Sequence, residues 1–336
     1  MKTKLNKFLD NKINLKVNRD FALIIGLTPS KGARSPTLWN NAYKSLNKKT
    51  RMFPADVKEE NLGKLFMYLK SNKHFLGSSV TVPYKEKIIK YLDCIEKNAN
   101  SIGSVNTIVN KNGKLFGFNT DYYGSMYSLK KMKMSRSKQE ILIFGCGGAG
   151  KAIIVSVINY FNNSKIKILN RNRNKLKKFL EKLKIENKNS IRMIPSIAYL
   201  KKLKSLDLIL NCTSIGFDGW VYNNGYYNLM NFCPITKINY KKISKANHES
   251  FKKKNNLEIR KNTKGTINFL ASFQNLNIFD IIYQPLETNL IKAGLILGHK
   301  TKNGLDMNLM QAVEGFKIVN NFKNKDKIMK GMKNGK

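Results

Sequence analysis

The chain has 336 residues, with 62 Lys plus Arg against 21 Asp plus Glu and a formal net charge of +41. At 42% hydrophobic and 10% aromatic residues its composition is globular, which excludes a disordered basic tail as the whole molecule, and its length suits about two domains. Lys supplies 54 of the cations and Arg only eight, and the lysines are scattered amid abundant Asn. Arg is the residue suited to bidentate phosphate or base contact, so the charge reads as compositional drift or as a polyanion-binding surface and points to no specific nucleic acid.

The first twenty residues, MKTKLNKFLDNKINLKVNRD, are basic without an apolar h-region and read as a solvated extension. Strand-like runs follow: FALIIG from Phe21, SSVTVP from Ser78 and NTIV from Asn106, with NLGKLFMYLKSNKH between the first two at helical spacing. The Lys- and Ser-rich stretch between Tyr122 and Gln139 marks a division. Beyond it come the strand ILIFG from Ile141, the helix-compatible AIIVSVINYF, the strand KIKILN from Lys165, the amphipathic RNKLKKFLEKLK and the strand LDLILN from Leu206. The alternation implies an α/β fold with mainly parallel sheets. Residues 219–274 break the rhythm, being rich in Asn, Lys and Tyr with no evident strand–helix unit. They read as an insertion, for which disorder, a small subdomain and an interaction surface are the alternatives.

The longest apolar run, from Ile141, approaches the length of a membrane span, but glycines and Lys151 interrupt it, so no membrane association is expected. Cys94, Cys146, Cys212 and Cys233 share no C-x-x-C spacing, and His74, His248 and His299 have no metal-ligand spacing. Neither a metal site nor a disulfide framework is expected, and a reducing cytoplasm fits best.

In ILIFGCGGAGKA, Gly145, Gly147 and Gly150 form G-x-G-x-x-G, with Gly148 adding a further residue without a side chain. The same segment approaches a nucleotide P-loop, but that pattern needs Ser or Thr after its Lys and Ala152 stands there. A strand before the glycines and a helix after them favour dinucleotide binding, with a pyrophosphate on the backbone N–H groups of the helix start. The next strand ends in Asn170-Arg171-Asn172, with Arg173 and Lys175 just beyond. A carboxylate there would hold the ribose of NAD, whereas a guanidinium attracts a 2′-phosphate, so NADP is the expected cofactor, bound by Asn170, Arg171 and Lys175.

Further segments remain: Ser35-Pro36 in GARSPTLWN, SVTVPYKEK, the pair SIGSVNT and GFNTDYYG, NCTSIG from Asn211, YQPLET from Tyr283 and NGLDMNLMQA. With the glycine turn and Asn170-Arg171 they resemble the shikimate dehydrogenase family, in order and spacing, from about Phe21 to Phe316 apart from the insertion. The resemblance implies a two-domain α/β fold, a substrate domain and a doubly wound Rossmann NADP domain flanking a cleft. The substrate domain would be residues 21–124, the NADP domain 125–300 with its 219–274 insertion, and helices in 301–325 would pack back on the first domain. It implies reversible NADP-dependent reduction of 3-dehydroshikimate to shikimate by a monomer or homodimer. Lys85 and Asp121 map to the catalytic pair. Aspartate occurs only ten times in the chain, so Asp121 within its motif is the stronger witness. Asn106, Thr81 and Gln311 would contact ring hydroxyls, Ser35 and Tyr283 the substrate carboxylate, and Gly304 would lie near the nicotinamide.

The chain departs from the family pattern at several positions. Ala33-Arg34-Ser35-Pro36 stands for the usual S-x-S-P, removing one hydroxyl donor, for which Arg34 or Lys31 would compensate unless they point into water. Ser79 precedes V-T-V-P, Trp39 precedes Asn40 and Tyr122 follows Asp121 where the family has other residues. The alternatives are a quinate or other cyclic hydroxy-acid dehydrogenase of the same family, and a non-enzymatic binding protein on this fold.

Overall fold

The computed structural model describes residues 4–16, 18–183, 189–222, 226–240 and 255–334. They fall into two units, Met1–Tyr127 with Met307–Lys336, and Ser128–Asp306.

The first unit runs β1 (Phe21–Gly26), α1 (Ser35–Ser45), β2 (Arg51–Asp56), α2 (Leu62–Ser71), β3 (Phe75–Val80), β4 (Cys94–Ile95), α3 (Lys97–Ile102), β5 (Thr107–Lys111), β6 (Lys114–Phe118) and α4 (Asp121–Lys131), inside which the boundary falls. Its sheet order is β2-β1-β3-β5-β6-β4. The pairs β1 with β2, β1 with β3 and β4 with β6 are parallel, while β5 is antiparallel to both neighbours. FALIIG is apolar throughout because both faces of β1 are covered. Phe21, Leu23 and Ile25 pack with Leu65, Phe66 and Leu69 of α2, and Ala22 and Ile24 with Trp39 and Tyr43 of α1. The run read as SSVTVP leaves the sheet at Val80, and Thr81 to Lys85 form a turn across a cis Val82–Pro83 peptide.

The basic N-terminal segment is not a solvated extension. Leu5 and Ile13 are buried in the core beside α2. Asn6 ties the segment into a loop by donating to the Ile13 carbonyl and accepting from its N–H, both at 2.9 Å. Asn11 anchors it to β2 by donating to Pro54 O (2.9 Å) and accepting from the Asp56 N–H (2.8 Å). Phe8, Leu9 and Leu15 pack against the same core half-buried, so a handful of apolar residues and two amides hold what composition alone assigns to water.

The second unit continues with β7 (Glu140–Phe144), α5 (Gly148–Tyr160), β8 (Lys165–Leu169), α6 (Arg173–Leu180), β9 (Ser190–Met193), β10 (Leu208–Asn211), β11 (Trp220–Tyr222), β12 (Tyr226–Asn228), α7 (Asn256–Leu270), β13 (Asn277–Asp280), α8 (Asn289–Ile296) and β14 (Lys300–Lys302). Its main sheet has the order β14-β13-β10-β7-β8-β9, every pair parallel. Counted along the chain this is the doubly wound 3-2-1-4-5-6 order, whose direction reverses between β7 and β10. The stretch 219–274 is therefore not all insertion. The described part holds an antiparallel ribbon, β11 with β12, and α7, the connecting helix between β10 and β13. Residues 223–225 and 241–254 lie outside the described residues.

The chain ends with α9 (Leu305–Val319) and α10 (Lys325–Lys333). From Met307 on, these belong to the first unit, where Val313, Phe316, Ile328 and Met332 cover the face of the sheet that carries Ala22 and Ile24. Among the described residues no helix is long and apolar enough to cross a membrane.

Candidate active site

The two most specific motifs meet because they flank one hairpin. In the β5/β6 ladder Thr107 pairs with Phe118, which sets Asn106 and the Asn119-Thr120-Asp121 corner beside each other. Asn106 is 2% exposed and its side chain is fully used. Its oxygen accepts from the Thr120 N–H (2.7 Å), Thr120 Oγ1 (3.1 Å) and Thr107 Oγ1 (3.2 Å). Its amide nitrogen donates to Asp121 Oδ1 at 2.9 Å and reaches Gln311 Oε1 at 3.5 Å. Asn119 donates to Ser104 O (2.8 Å) and accepts from the Tyr122 N–H, which closes the turn into α4. Asp121 thus opens a helix, where a carboxylate is favoured by the helix dipole.

Lys85 arrives from the other side. Tyr84 is buried and donates its hydroxyl to Val57 O at 2.6 Å, and the Lys85 carbonyl accepts from the Val105 N–H at 2.7 Å, fixing the backbone on both flanks. The Lys85 ammonium then donates to Asp121 Oδ2 at 2.5 Å, with side chains 18% and 6% exposed. Both carboxylate oxygens are occupied, one by a neutral amide and one by a cation. A largely buried pair of this kind is costly to break, because either partner alone is an uncompensated charge.

Lys85, Asp121, Asn106 and Gln311 therefore converge in the first unit. Gln311 is carried by α9, and its Nε2 donates to Asn308 O at 3.0 Å. Ser35 is buried at the first position of α1. The loop before it is pinned by Asp56, which accepts from the Ser30 N–H at 2.9 Å and from the Ser30 hydroxyl. Arg34, between them, donates from Nη1 to Asn308 Oδ1 at 3.3 Å. Thr81 is set by its backbone, donating to Ile25 O (2.9 Å), and its methyl lies against Gly26. Its hydroxyl is not among the hydrogen bonds that join the other four. Asp56 and Asn308 escape a sequence reading because their motifs differ from any catalytic pattern and their partners are distant in the chain.

In the second unit the glycine turn sits at the carboxyl end of β7, beside β10. Gly145 has φ +95°, and a Cβ there would stand 2.9 Å from Cys212 O; a Cβ on Gly150 would stand 2.7 Å from Gly145 O. These two positions need glycine for the turn itself. Gly147 differs: nothing lies within 4 Å of where its Cβ would be, so open space faces the start of α5, which begins at Gly148 with no acidic residue in its first turn. Asn170 ties the turn to the next loop, accepting from the Cys146 N–H (3.0 Å) and donating to Asn172 O (2.7 Å). Asn172 caps α6 by accepting from the Lys175 N–H. Arg171 is exposed and Lys175 half-buried, and the first turn of α6 has no acidic side chain. Open backbone at a helix start and cations without a carboxylate after the second strand fit a dinucleotide with an added phosphate.

Gly304 is dictated by close approach, since a Cβ there would fall 1.8 Å from Ile281 O, and its N–H donates to Ile282 O at 3.0 Å. Tyr283 is half-buried in the loop after β13, ahead of a cis Gln284–Pro285 peptide. Beneath that loop lies a group the motifs do not reveal. Asp280 is fully buried and accepts from Thr288 Oγ1 (2.7 Å), Asn211 Nδ2 (3.0 Å) and the Ile282 N–H (3.1 Å). Burial pushes its carboxyl up to about 6, against the opposing pull of those three donors. Asn211 in turn accepts from the Thr213 N–H and hydroxyl, so this carboxylate organises the chain at the ends of both β10 and β13. Among the described residues no group of His, Cys, Asp or Glu could hold a metal ion.

Fold and residues together define a class: a two-unit α/β protein in which a doubly wound nucleotide-binding sheet accompanies a substrate-type unit with a buried Lys–Asp pair. Comparison with known proteins narrows it. A family model described as the shikimate dehydrogenase substrate binding domain matches residues 24–108. The chain is 29% identical over 318 residues to the shikimate dehydrogenase (NADP(+)) of Carboxydothermus hydrogenoformans, covering 94% of this chain and 98% of that one. It is 31% identical over 288 residues to the protein of the same name from Caldanaerobacter subterraneus subsp. tengcongensis, covering 86% and 87%. The crystal structure of shikimate dehydrogenase from Aquifex aeolicus superposes with a TM-score of 0.68 at 26% identity, covering 96% of this chain and 100% of that one. The chain belongs to the shikimate dehydrogenase family.

Proposed function

We propose that the chain is an NADP-dependent shikimate dehydrogenase, interconverting shikimate and 3-dehydroshikimate. The observation that carries the reading is the convergence of Lys85, Asp121, Asn106 and Gln311 through contacts of 2.5, 2.9 and 3.5 Å. The name shared by its relatives, shikimate dehydrogenase (NADP(+)), supports substrate and cofactor together.

Oxidising a secondary alcohol removes a hydride from carbon and a proton from oxygen. Bound NADP⁺ supplies the hydride acceptor. The proton is the task of this chain's own residues. With Lys85 in its amine form, Nζ takes the hydroxyl proton as the carbonyl forms, and Asp121, 2.5 Å away, stabilises the ammonium produced. In the reducing direction the ammonium returns that proton to the carbonyl oxygen. Asn106 keeps Asp121 oriented through the other carboxylate oxygen, and Gln311 and Thr81 present amide and hydroxyl groups to the remaining ring hydroxyls. Polar groups of that kind reject analogues that leave them unmatched. In the second unit the start of α5 after Gly145, Gly147, Gly148 and Gly150 would hold the pyrophosphate. Arg171 and Lys175 would hold the 2′-phosphate, Asn170 shaping the turn between them.

Shikimate-dependent formation of NADPH, followed by absorbance, tests the reading. Lys85→Met and Asp121→Asn should each lower kcat by about a hundredfold or more with the circular dichroism spectrum retained. A folded wild-type protein without turnover on shikimate would overturn it. Arg171→Ala should raise KM for NADP⁺ and leave any turnover with NAD⁺ unchanged, and equal losses with both cofactors would refute the phosphate contact.

A further inference from the structure

We propose that Asn11 is a positioning residue for Lys85, holding the end of the outer strand to which the turn bearing Lys85 is tied. The part given to Lys85 rests on the function proposed above, and the brace itself lies wholly within the first unit. β2 is an edge strand, paired with β1 alone, so the peptide groups on its other side need partners from elsewhere. Asn11 supplies two: its Nδ2 donates to Pro54 O at 2.9 Å and its Oδ1 accepts from the Asp56 N–H at 2.8 Å. The Asp10 N–H adds a third, donating to Asp56 O at 2.8 Å. A single side-chain amide thus stands in for a neighbouring strand, at a place where Pro54 has no N–H of its own to offer.

Val57, the next residue, carries the tie inward. Its N–H donates to Gly26 O at 2.9 Å, and its carbonyl accepts from the Tyr84 hydroxyl at 2.6 Å. Tyr84 is 1% exposed and shares one core cluster with Val57 and with Leu5 and Ile13 of the N-terminal segment. Lys85 follows it directly, on a turn that has left the sheet. The Thr81 N–H holds one end of that turn, donating to Ile25 O at 2.9 Å, and the Lys85 carbonyl holds the other, accepting from the Val105 N–H at 2.7 Å. Between these backbone ties the Tyr84 hydroxyl joins the turn to the end of β2. The Lys85 ammonium must then meet Asp121 Oδ2 at 2.5 Å, and a misplacement of about 1 Å is enough to slow a reaction severely. Removing the Asn11 amide leaves Pro54 O and the Asp56 N–H to water, loosens the end of β2 and passes that freedom through Val57 to Tyr84. The segment that performs this lies ahead of Phe21, where the family motifs begin.

Hydrogen exchange read by mass spectrometry tests the brace without turnover. In Asn11→Ala the amides of residues 81–88 should exchange about fivefold faster than in wild type, the scale of losing an ordinary pair of hydrogen bonds, while those of β6 keep their wild-type rate. Tyr84→Phe removes the hydroxyl and keeps the ring, so it cuts the same line further in and should give the same gain if Asn11→Ala fails to fold. Ile328→Ala leaves a cavity in the core on the opposite face of the sheet and should lower overall stability without changing exchange at 81–88. In the NADPH assay Asn11→Ala and Tyr84→Phe should each lower kcat by about threefold to tenfold, with KM for NADP⁺ unchanged. The double variant should be no slower than the slower single one, because both cut one line. Ile328→Ala, assayed while folded, should keep the wild-type kcat. Unchanged exchange at 81–88, or an unchanged kcat in a variant whose turn is loosened, overturns the proposal. So does a kcat loss in Ile328→Ala as large as theirs, or losses that multiply in the double variant. A wild type that folds yet does not oxidise shikimate ends the proposed function. The exchange rates then still decide the brace, faster exchange supporting it and unchanged exchange refuting it.

Discussion

Replacing Asp280 by Asn isolates the effect of one buried carboxyl on the second unit. The group is fully buried, and its folded value of about 6 lies above the 3.8 of an exposed aspartate. Between those values the folded protein holds a proton that the unfolded chain has released. A raised acid therefore contributes stability that is complete below about pH 4 and is lost as pH rises through 6. Above that the charged form is carried at a cost. The interval of about two units corresponds to about 3 kcal/mol. An asparagine at this position can still accept from Asn211 and the Ile282 N–H through one oxygen, and its NH₂ can donate to Thr288 Oγ1, so the loops should persist without the titration. Urea unfolding of both full-length proteins from pH 4 to 8 measures the effect. The stability of wild type minus that of Asp280→Asn should fall by about 3 kcal/mol between pH 4 and 7 and be flat beyond. A difference independent of pH across that range would refute the assigned titration, whatever its size.

Three further outcomes follow from other contacts. Asn106→Ala should cost about 2–4 kcal/mol and much of kcat, because it strands the buried Thr120 N–H and one oxygen of Asp121; a thermal melt and the NADPH assay read the two effects. Gly304→Ala should cost more than about 3 kcal/mol, since the added carbon meets backbone at 1.8 Å and no side chain can yield; a midpoint within error of wild type in urea would contradict the close approach. Leu5→Ala should cost about 2–5 kcal/mol, the usual range for a buried leucine, whereas a residue in solvent would cost almost nothing.

The sequence was legible where apolar residues run together, and it misled where polar residues do structural work. FALIIG, ILIFG and KIKILN announce strands, and the hairpin motifs around Asn106 and Asp121 announce a site, because spacing and residue type coincide there. The β2 segment RMFPAD was not visible as a strand because Pro54 lies within it. Its place at the sheet edge, where a missing N–H is tolerated, is a three-dimensional fact. The helix α7 was hidden because two of its inward residues are polar. Asn262 accepts from the Cys233 N–H at 2.7 Å and donates to its carbonyl at 3.1 Å, and Thr266 is fully buried, so the apolar stripe is broken. The N-terminal segment hid for another reason: its apolar residues, Leu5, Phe8, Leu9, Ile13 and Leu15, are short runs broken by Lys and Asn, too brief to show a sustained period. Asp280 went unnoticed because it ends a four-residue strand and its partners lie 69 positions upstream and eight downstream.

The first unit is closed by a segment that follows the whole second unit in the chain. Ala22, Ile24, Trp39 and Tyr43 are formed early, yet their cover, Val313, Phe316, Ile328 and Met332, emerges only after the whole second unit. Gly331 lies so close to α1 that a Cβ would meet Ser45 Oγ at 2.4 Å, so the last helix is fitted and not merely draped. During synthesis the second unit can complete its parallel sheet while the first still shows an apolar face to chaperones and proteases. A polypeptide that stops before α9 keeps that face bare and lacks Gln311, the partner of Asn106. In this fold the unit that is begun before the other is finished only after it.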